Sequence, residues 1–312
     1  MSVDQLIAEL SAHADVTGRS ALRPVIDELS RPIRVRTVGR PGVGRRTLTA
    51  ALHDAGLAVV QTRSDVEVLV IAETAKPEDC RISAAADGPI VIALNKADVL
   101  GPALADRTEL VRLVTGVPVI AVSALLATAA LDDALFAALR VLAAEPADLS
   151  STDVFCAAPH PLDTATRARL LAVLDLHGIG ESTAAIRAGA DAGVLTALLR
   201  RMSNIDEVLA GVRAATAPLR YRRLCASMTR LRALAVRTAD QRLDAMLSGD
   251  TAVRAARDAA AEVVGADGPE VDSSDPLRRA VRWQRYSRGP VNALHRRCGA
   301  DLARAALRSG LW

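Results

Sequence analysis

The segment GRPGVGRRTL, residues 39–48, has the glycine spacing of a loop that binds phosphate groups. Such loops follow the pattern G-x-x-x-x-G-K-[ST], in which backbone N–H groups surround the phosphates, the Lys contacts them and the hydroxyl binds Mg²⁺. Gly39 and Gly44 have this spacing, but Arg45 and Arg46 replace the Lys and the Ser or Thr. A guanidinium at position 45 can still contact a phosphate, whereas one at position 46 repels a cation. The segment therefore predicts an anion site without a metal.

Two further polar stretches each follow an apolar run that is typical of a buried strand. The first is NKAD at residues 95–98, and the second is SA at residues 123–124. The NKxD pattern is typical of guanine recognition, because its Asp carboxylate accepts hydrogen bonds from the N1 and amino groups of the base. In sites of this kind the Asn braces the loop, the Lys lies along the base, and the SA pair donates backbone N–H groups to the guanine oxygen. The alternative, that both stretches are only turns, stays open.

Alternating strand and helix patterns must position these three stretches. Apolar runs of strand length occur at residues 33–38, 57–60, 66–71, 90–94 and 117–122. Helical patterns occur at residues 47–55, 102–115 and 126–144. This alternation predicts a mostly parallel sheet covered by helices, with ligands bound at the carboxyl ends of the strands.

With the three stretches in this order, residues 33–144 resemble the G domain of P-loop GTPases. Residues 170–212 are similar to the helical region of actinobacterial dynamin-like proteins of the isoniazid-inducible type, and the Arg-rich segment 219–235 suits the long helix that follows there. The resemblance implies an α/β fold, with a reduced P-loop GTPase-type doubly wound sheet and an α-helical domain built from N- and C-terminal helices. It also implies GDP or GTP, bound weakly and without Mg²⁺, at Gly39, Gly42, Gly44, Arg45, Arg46, Thr47, Asn95, Lys96, Asp98, Ser123 and Ala124.

The place where such GTPases carry a DxxG motif departs most from the family. Gln61-Thr62-Arg63-Ser64 occupies that place and has neither the Asp nor the Gly. Only 17 residues separate Thr47 from Asp65, which leaves no room for a switch I segment or for the helix after DxxG. Because the metal ligand and the γ-phosphate sensor are both missing, GTP hydrolysis is not expected. A slow or unusual GTP-hydrolysing enzyme is the alternative.

The resemblance and the composition divide the chain into four parts. These are two N-terminal helices that pack on the C-terminal bundle (1–31), a degenerate G domain (32–145), a proline-punctuated linker (146–161) and an α-helical stalk or partner domain (162–312).

A second resemblance lies in LHGIGESTAAI, residues 176–186, which is similar to the hairpin of a helix-hairpin-helix module. In such hairpins, backbone N–H groups at a helix N-terminus bind a DNA phosphate. The acidic Asp175 and Glu181 argue against this alternative, so nucleic acid is not expected as a partner. Gly178 and Gly180 are instead expected to separate two helices.

The charge is unevenly distributed along the chain. Residues 220–312 contain 18 Arg against ten Asp and Glu, although the whole chain has a net charge of only +3. The four Cys are widely spaced and predict reduced, buried thiols of a cytoplasmic protein, and no apolar run is long enough to span a membrane. The resemblance implies a non-catalytic subunit that forms a heteromer with an active dynamin-like GTPase at the inner face of the plasma membrane. Peripheral association with an anionic membrane stays open.

Overall fold

The computed structural model describes residues 2–265, 268–269 and 275–308. Contacts between residues divide the chain into two compact units: a sheet unit, residues 33–215, and a helical unit, residues 1–32 together with 216–312. The division falls inside one long helix and not in the predicted linker at 146–161.

The described residues form five β-strands and sixteen α-helices. The strands are β1 (Arg34–Val38), β2 (Ala58–Val59), β3 (Val66–Ala72), β4 (Ile90–Asn95) and β5 (Val119–Val122). The helices are α1 (Ser2–Thr17), α2 (Arg23–Ser30), α3 (Arg45–Asp54), α4 (Pro77–Ala84), α5 (Ala97–Leu100), α6 (Leu104–Thr115), α7 (Ala124–Ala127), α8 (Asp133–Ala144), α9 (Thr152–Ala157), α10 (Thr164–Arg187), α11 (Ala192–Ser203), α12 (Ile205–Arg237), α13 (Gln241–Ser248), α14 (Asp250–Val264), α15 (Pro276–Arg288) and α16 (Ala293–Arg308).

The sheet unit is built on five parallel strands in the order β2-β1-β3-β4-β5. Apolar side chains of α3 and of the first part of α12 pack on one face of the sheet, and those of α4 and α6 pack on the other. The predicted α/β architecture with a parallel sheet is therefore confirmed. The strand order reverses between β1 and β3, and ligands of such sheets bind outside the carboxyl ends of the strands at this point.

The predicted linker at 146–161 is wrong, because this segment is part of a packed core. It contains helix α9, whose first turn is capped by Ser151 through a 3.2 Å hydrogen bond from the Val154 N–H. Phe155 is fully buried among apolar side chains of α8, α10 and α11. The buried Arg167 donates to the carbonyl oxygens of Phe155, at 2.6 Å, and Ala158, at 2.8 Å. The segment was predicted to be a linker because most of its residues are polar or proline, and the single buried aromatic residue, Phe155, was not given weight.

The predicted break at Gly178 and Gly180 is also wrong. Helix α10 continues through both glycines, and its kink lies instead at Asp175, which has φ 56° and ψ 175°. A Cβ on Gly178 would come within 2.7 Å of the Leu126 side chain, so this glycine permits a close approach between α10 and α7. Because residues 176–187 form one helix, they do not form the hairpin of a helix-hairpin-helix module.

The helical unit has one continuous apolar core. It joins buried side chains of α1 and α2 to those of α12, α13, α14 and α16. An apolar stripe along α12 lies in this core and consists of Leu224, Met228, Leu231 and Leu234. Among the described residues, no helix combines the length and the hydropathy needed to cross a membrane.

The four cysteines are unpaired in the structure, but only two are buried. Cys225 and Cys298 lie in the core of the helical unit, whereas Cys80 and Cys156 are half-buried. Burial raises the pKa of the Cys298 thiol to about 11 and also raises the pKa of Cys225. Both thiols are therefore protonated near neutral pH and unreactive as nucleophiles.

A buried contact between two polar side chains joins the first helix of the helical unit to its C-terminal part. His13 Nε2 lies 2.8 Å from Asp240 Oδ2, and Arg19 NH1 lies 3.2 Å from the same oxygen. The other carboxylate oxygen accepts a 3.0 Å hydrogen bond from the Leu243 N–H and so caps α13. This cap, together with His13 and Arg19, holds the pKa of Asp240 below its usual range despite the opposing effect of burial.

We predict that Asp240→Asn lowers the free energy of unfolding of the helical unit by about 1.5–3 kcal/mol, the usual contribution of hydrogen bonds to a charged group. A carboxyl group with a lowered folded pKa stabilises fully above its ordinary pKa of about 3.9 and loses this effect as the pH falls through the folded value. The difference between wild type and variant should therefore shrink below about pH 4. Both Trp and both Tyr belong to the helical unit, so denaturant unfolding followed by intrinsic fluorescence reports on it.

The matched control is Asp244→Asn, an exposed carboxylate one turn further along α13. It should change the unfolding free energy by less than about 0.5 kcal/mol. Equal effects of the two substitutions at all pH values would contradict a stabilising role for the buried pair.

Candidate functional site

The loop between β1 and α3 has the backbone shape that only its glycines allow. Gly39, Gly42 and Gly44 have φ values of 143°, 84° and 84°. A Cβ on Gly39 would lie 2.5 Å from the Val70 carbonyl oxygen of β3, and one on Gly44 would lie 2.1 Å from the Asn95 side chain. Glycine is therefore needed at positions 39 and 44 for two reasons. The backbone has positive φ there, and it passes too close to Val70 and Asn95 for a side chain to fit.

The Asn95 side chain joins this loop to the end of β5. Its Nδ2 donates to the Val43 carbonyl oxygen at 2.9 Å, and its Oδ1 accepts from the Ala124 N–H at 2.9 Å. Asn95 is only 3% exposed, so both backbone groups are satisfied away from water. Through this residue, the three stretches at 39–48, 95–98 and 123–124 meet at one edge of the sheet.

The other two residues of the predicted base-binding stretch, Lys96 and Asp98, follow β4 at the same edge. Lys96 is exposed and has a left-handed backbone conformation, with φ 61°. Asp98 is half-buried in the first turn of the short helix α5. No hydrogen bond or ion pair joins either residue to the loop after β1 within the described part of the chain.

The backbone N–H groups of the SA pair already have acceptors. The Ser123 N–H donates to the Ser203 carbonyl oxygen at 3.0 Å, and the Ala124 N–H donates to Asn95. Asn204, next to Ser203, donates from Nδ2 to the Ala121 carbonyl oxygen at 2.7 Å and so covers the edge of β5. A guanine oxygen would have to displace one of these bonds in order to bind as predicted.

The two arginines that follow Gly44 are exposed at the beginning of α3. Arg45 NH1 lies 3.5 Å from the Gly39 carbonyl oxygen, a weak contact. Thr47, next to them, is half-buried. The N–H groups of residues 45–47 find no acceptor among the residues that the structure describes, as is usual in the first turn of a helix. Such N–H groups, beside two guanidinium groups, favour an anion.

An open cleft of about 410 Å³ extends from these arginines across β1. Arg36, Arg45, Arg46, Thr49 and Gln61 line it. The Thr49 hydroxyl lies 2.7 Å from that of Thr37 and donates to the Arg45 carbonyl oxygen at 2.8 Å. Arg36 was not predicted as a site residue. It follows the buried Val35 in β1, so its side chain lies on the opposite face of the sheet from that of Val35.

The connection between β2 and β3 is short, as predicted. Residues 60–65, all described, pass between the two strands without a helix. Charged pairs occupy this part of the sheet instead: Arg34 bonds Asp65 through Nε at 3.3 Å and NH2 at 3.2 Å, and Arg36 pairs with Glu67. Residues 61–64, which align with the DxxG motif, therefore provide neither a carboxylate nor a glycine at the cleft.

A further contact anchors the loop on the side of α4. Arg40 Nε lies 3.0 Å from both oxygens of Asp79, which is fully buried at the beginning of α4. The Lys76 N–H donates to the same carboxylate at 3.0 Å. This buried pair holds the first half of the loop in place, as Asn95 holds the second half. Nothing in the sequence pattern had indicated Arg40 or Asp79.

No cluster of three or more His, Cys, Asp or Glu suited to a metal occurs among the described residues.

We predict that Asn95→Ala lowers the free energy of unfolding of the sheet unit by about 2–4 kcal/mol. The substitution leaves the Val43 carbonyl oxygen and the Ala124 N–H buried without partners, at about 1–3 kcal/mol for each group. Hydrogen exchange of the amides in β4 and β5 measures this directly, since the unit contains neither Trp nor Tyr. Lys96→Ala is the control at the next, exposed position. If both variants exchange like the wild type, Asn95 is not the brace described here.

A scan against models of known protein families finds no match to this chain, and a search of curated proteins finds no significantly similar sequence. The chemistry of this site therefore rests on the residues of the chain itself.

Proposed function

We propose that this chain is a non-catalytic pseudo-GTPase that binds guanine nucleotide weakly and without Mg²⁺. The sheet is of the P-loop GTPase type in this proposal, and the nucleotide lies along the edge formed by the loop after β1, the NKAD stretch and the SA pair. The helical unit serves as the partner-binding region.

The observation that carries the proposal is the combination found around Asn95. The brace that aligns the three loops is complete, with both hydrogen bonds at 2.9 Å. At the same edge, Arg45 and Arg46 stand in the two positions where a working loop has its Lys and its metal ligand. This combination supports a site that holds a nucleotide but has, at position 46, a cationic side chain in place of a group that could bind Mg²⁺.

Two features support the absence of hydrolysis. Residues 60–65 provide neither the carboxylate nor the glycine of a DxxG motif, and they contain no helix that could reorder around a γ-phosphate. Phosphoryl transfer depends on a metal ion and a positioned water, because the transition state is stabilised almost entirely by electrostatics and geometry. The arginines replace the charge of the metal but not its octahedral geometry.

The contacts of the SA pair support weak binding. Because the Ser123 and Ala124 N–H groups already have acceptors, base recognition falls mainly to Asp98 and Lys96. Affinity then depends more on the phosphates, which face the N-terminal turn of α3 and its arginines.

The proposed partner is an active dynamin-like GTPase at the inner face of the cell membrane, with which this chain forms a heteromer. This part of the proposal rests on the excess of arginine in residues 220–312, which lie in the helical unit. It rests also on the resemblance of residues 170–212, which lie in the sheet unit. The helix that runs through Gly178 and Gly180 does not favour nucleic acid as a partner.

We predict that GDP binds with the same affinity, within about threefold, in EDTA and in Mg²⁺, because Arg46 excludes the cation. Arg45→Ala combined with Arg46→Ala should weaken binding on the order of tenfold or more, since each charge-assisted hydrogen bond contributes about 1.5–3 kcal/mol. Titration calorimetry measures both effects. Arg107→Ala with Arg140→Ala removes the same charge from exposed helix positions in the same unit and serves as the control.

Two results would contradict the proposal in different ways. If Mg²⁺ increases the affinity for GDP more than about tenfold, the site contains a metal ligand, and a working GTPase becomes the better hypothesis. No GDP binding under either condition would leave Asn95 and its neighbours with a purely structural role.

We also predict GTP turnover below about 10⁻⁴ s⁻¹, slower than the unassisted rate of small GTPases. The reason is the missing metal ligand at position 46 and the missing DxxG motif. Phosphate release by the purified protein, with Asp98→Ala as the control for a contaminating enzyme, is the measurement. Faster turnover that disappears in Asp98→Ala would show that the chain is an enzyme.

A further inference from the structure

A second arginine-lined cleft lies within the helical unit, between the end of α2 and the middle of α12. Its volume is about 330 Å³. Four arginines line it, and Glu28 is the one carboxylate among the lining residues. The arginines are Arg31, Arg222, Arg223 and Arg230. With four guanidinium groups and one carboxylate, the lining has a formal charge of +3.

The central arginine of this cleft is buried and incompletely satisfied. Arg223 is only 8% exposed, and its NH1 donates to the Arg31 carbonyl oxygen at 2.6 Å. Its NH2 is inaccessible to solvent and has no acceptor among the described residues. Because Glu28 is the one carboxylate close to this buried guanidinium, Arg223 adds positive charge to the wall of the cleft, and this favours an anion there.

The single carboxylate of the cleft does not balance these charges. Glu28 Oε1 lies 3.5 Å from Arg31 NH2 and 3.6 Å from Arg223 Nε, and is shared between the two. Arg222 and Arg230 are exposed, and neither forms an ion pair within the described part of the chain. They are eight residues apart on α12, about two turns, and therefore lie on one face of the helix, one turn before and one turn after Ala226.

We propose that this cleft binds a phosphate monoester or diphosphate group. Guanidinium groups donate in a planar fork that matches the oxygens of a phosphate, and several converging arginines favour an anion with two or more charges over a single carboxylate. The site is separate from the loop after β1, and its existence does not depend on nucleotide binding there.

Inorganic pyrophosphate is the first probe, titrated by calorimetry into the full-length protein at constant ionic strength. We expect Arg222→Gln combined with Arg230→Gln to weaken its binding on the order of tenfold or more. Both positions are exposed, so this variant should keep the melting temperature of the unliganded wild type. Arg237→Gln with Arg242→Gln removes the same charge from exposed positions at the end of α12 and on α13, and should bind pyrophosphate like the wild type.

Vesicles distinguish a soluble ligand from a lipid headgroup. Phosphatidic acid presents a phosphate monoester, so sedimentation is compared with vesicles of phosphatidylcholine alone and of phosphatidylcholine with a minor fraction of phosphatidic acid. Cosedimentation that needs phosphatidic acid and is lost in the Arg222/Arg230 variant supports the site and assigns a lipid source. Pyrophosphate binding that is weakened in this variant, without cosedimentation, supports the site and assigns a soluble source.

Three results would overturn the proposal. The first is that neither probe binds the wild-type protein. The second is that the Arg222/Arg230 variant binds both probes as the wild type does. The third is that pyrophosphate binding is lost only in the variant with Arg45→Ala and Arg46→Ala, which would assign the anion to the loop after β1.

Discussion

The arrangement of the candidate site depends on one buried amide side chain. Asn95 donates to Val43 and accepts from Ala124, so a single residue at the end of β4 fixes the loops that follow β1 and β5. Its close approach requires glycine at position 44, because any side chain there would overlap the amide. The glycine spacing and the asparagine are thus two parts of one constraint. Both of its backbone partners are buried, which makes the constraint expensive to break.

Arginine takes the place of other groups throughout this site. After Gly44 it stands at the two positions where the phosphate-loop pattern has Lys and Ser or Thr. It pairs with carboxylates on the sheet face where the chain passes directly from β2 to β3, and it anchors the loop through Arg40 and Asp79. A guanidinium keeps its charge at all physiological pH values and bonds in a fixed planar geometry. These properties suit the holding of a phosphate or a carboxylate. They do not suit proton transfer or cation binding, and this agrees with the binding role proposed above.

Several predictions failed where one side chain outweighed the local composition. Residues 146–161 are polar and rich in proline, yet the fully buried Phe155 makes them part of the core. Glycine is typical of helix ends, but α10 continues through Gly178 and Gly180, and Leu126 packs closely against Gly178. The division between the units falls inside α12, where the sequence shows only a continuous helical pattern. In the first two cases a contact with a residue distant in the sequence decided the outcome.

The five strands, the α/β class and the positions of the three polar stretches at the carboxyl ends of strands could all be predicted from the amino-acid sequence. These features follow from apolar periodicity and from glycine spacing, which are local properties of the chain. Three other features became visible only in the folded chain. The SA amides already have acceptors, Arg40 binds the buried Asp79, and Arg223 lies buried beside a second cleft with one nitrogen that has no partner among the described residues. The reason is physical: hydrogen-bond partners and burial depend on which distant segments meet, and neither is encoded in the spacing of neighbouring residues.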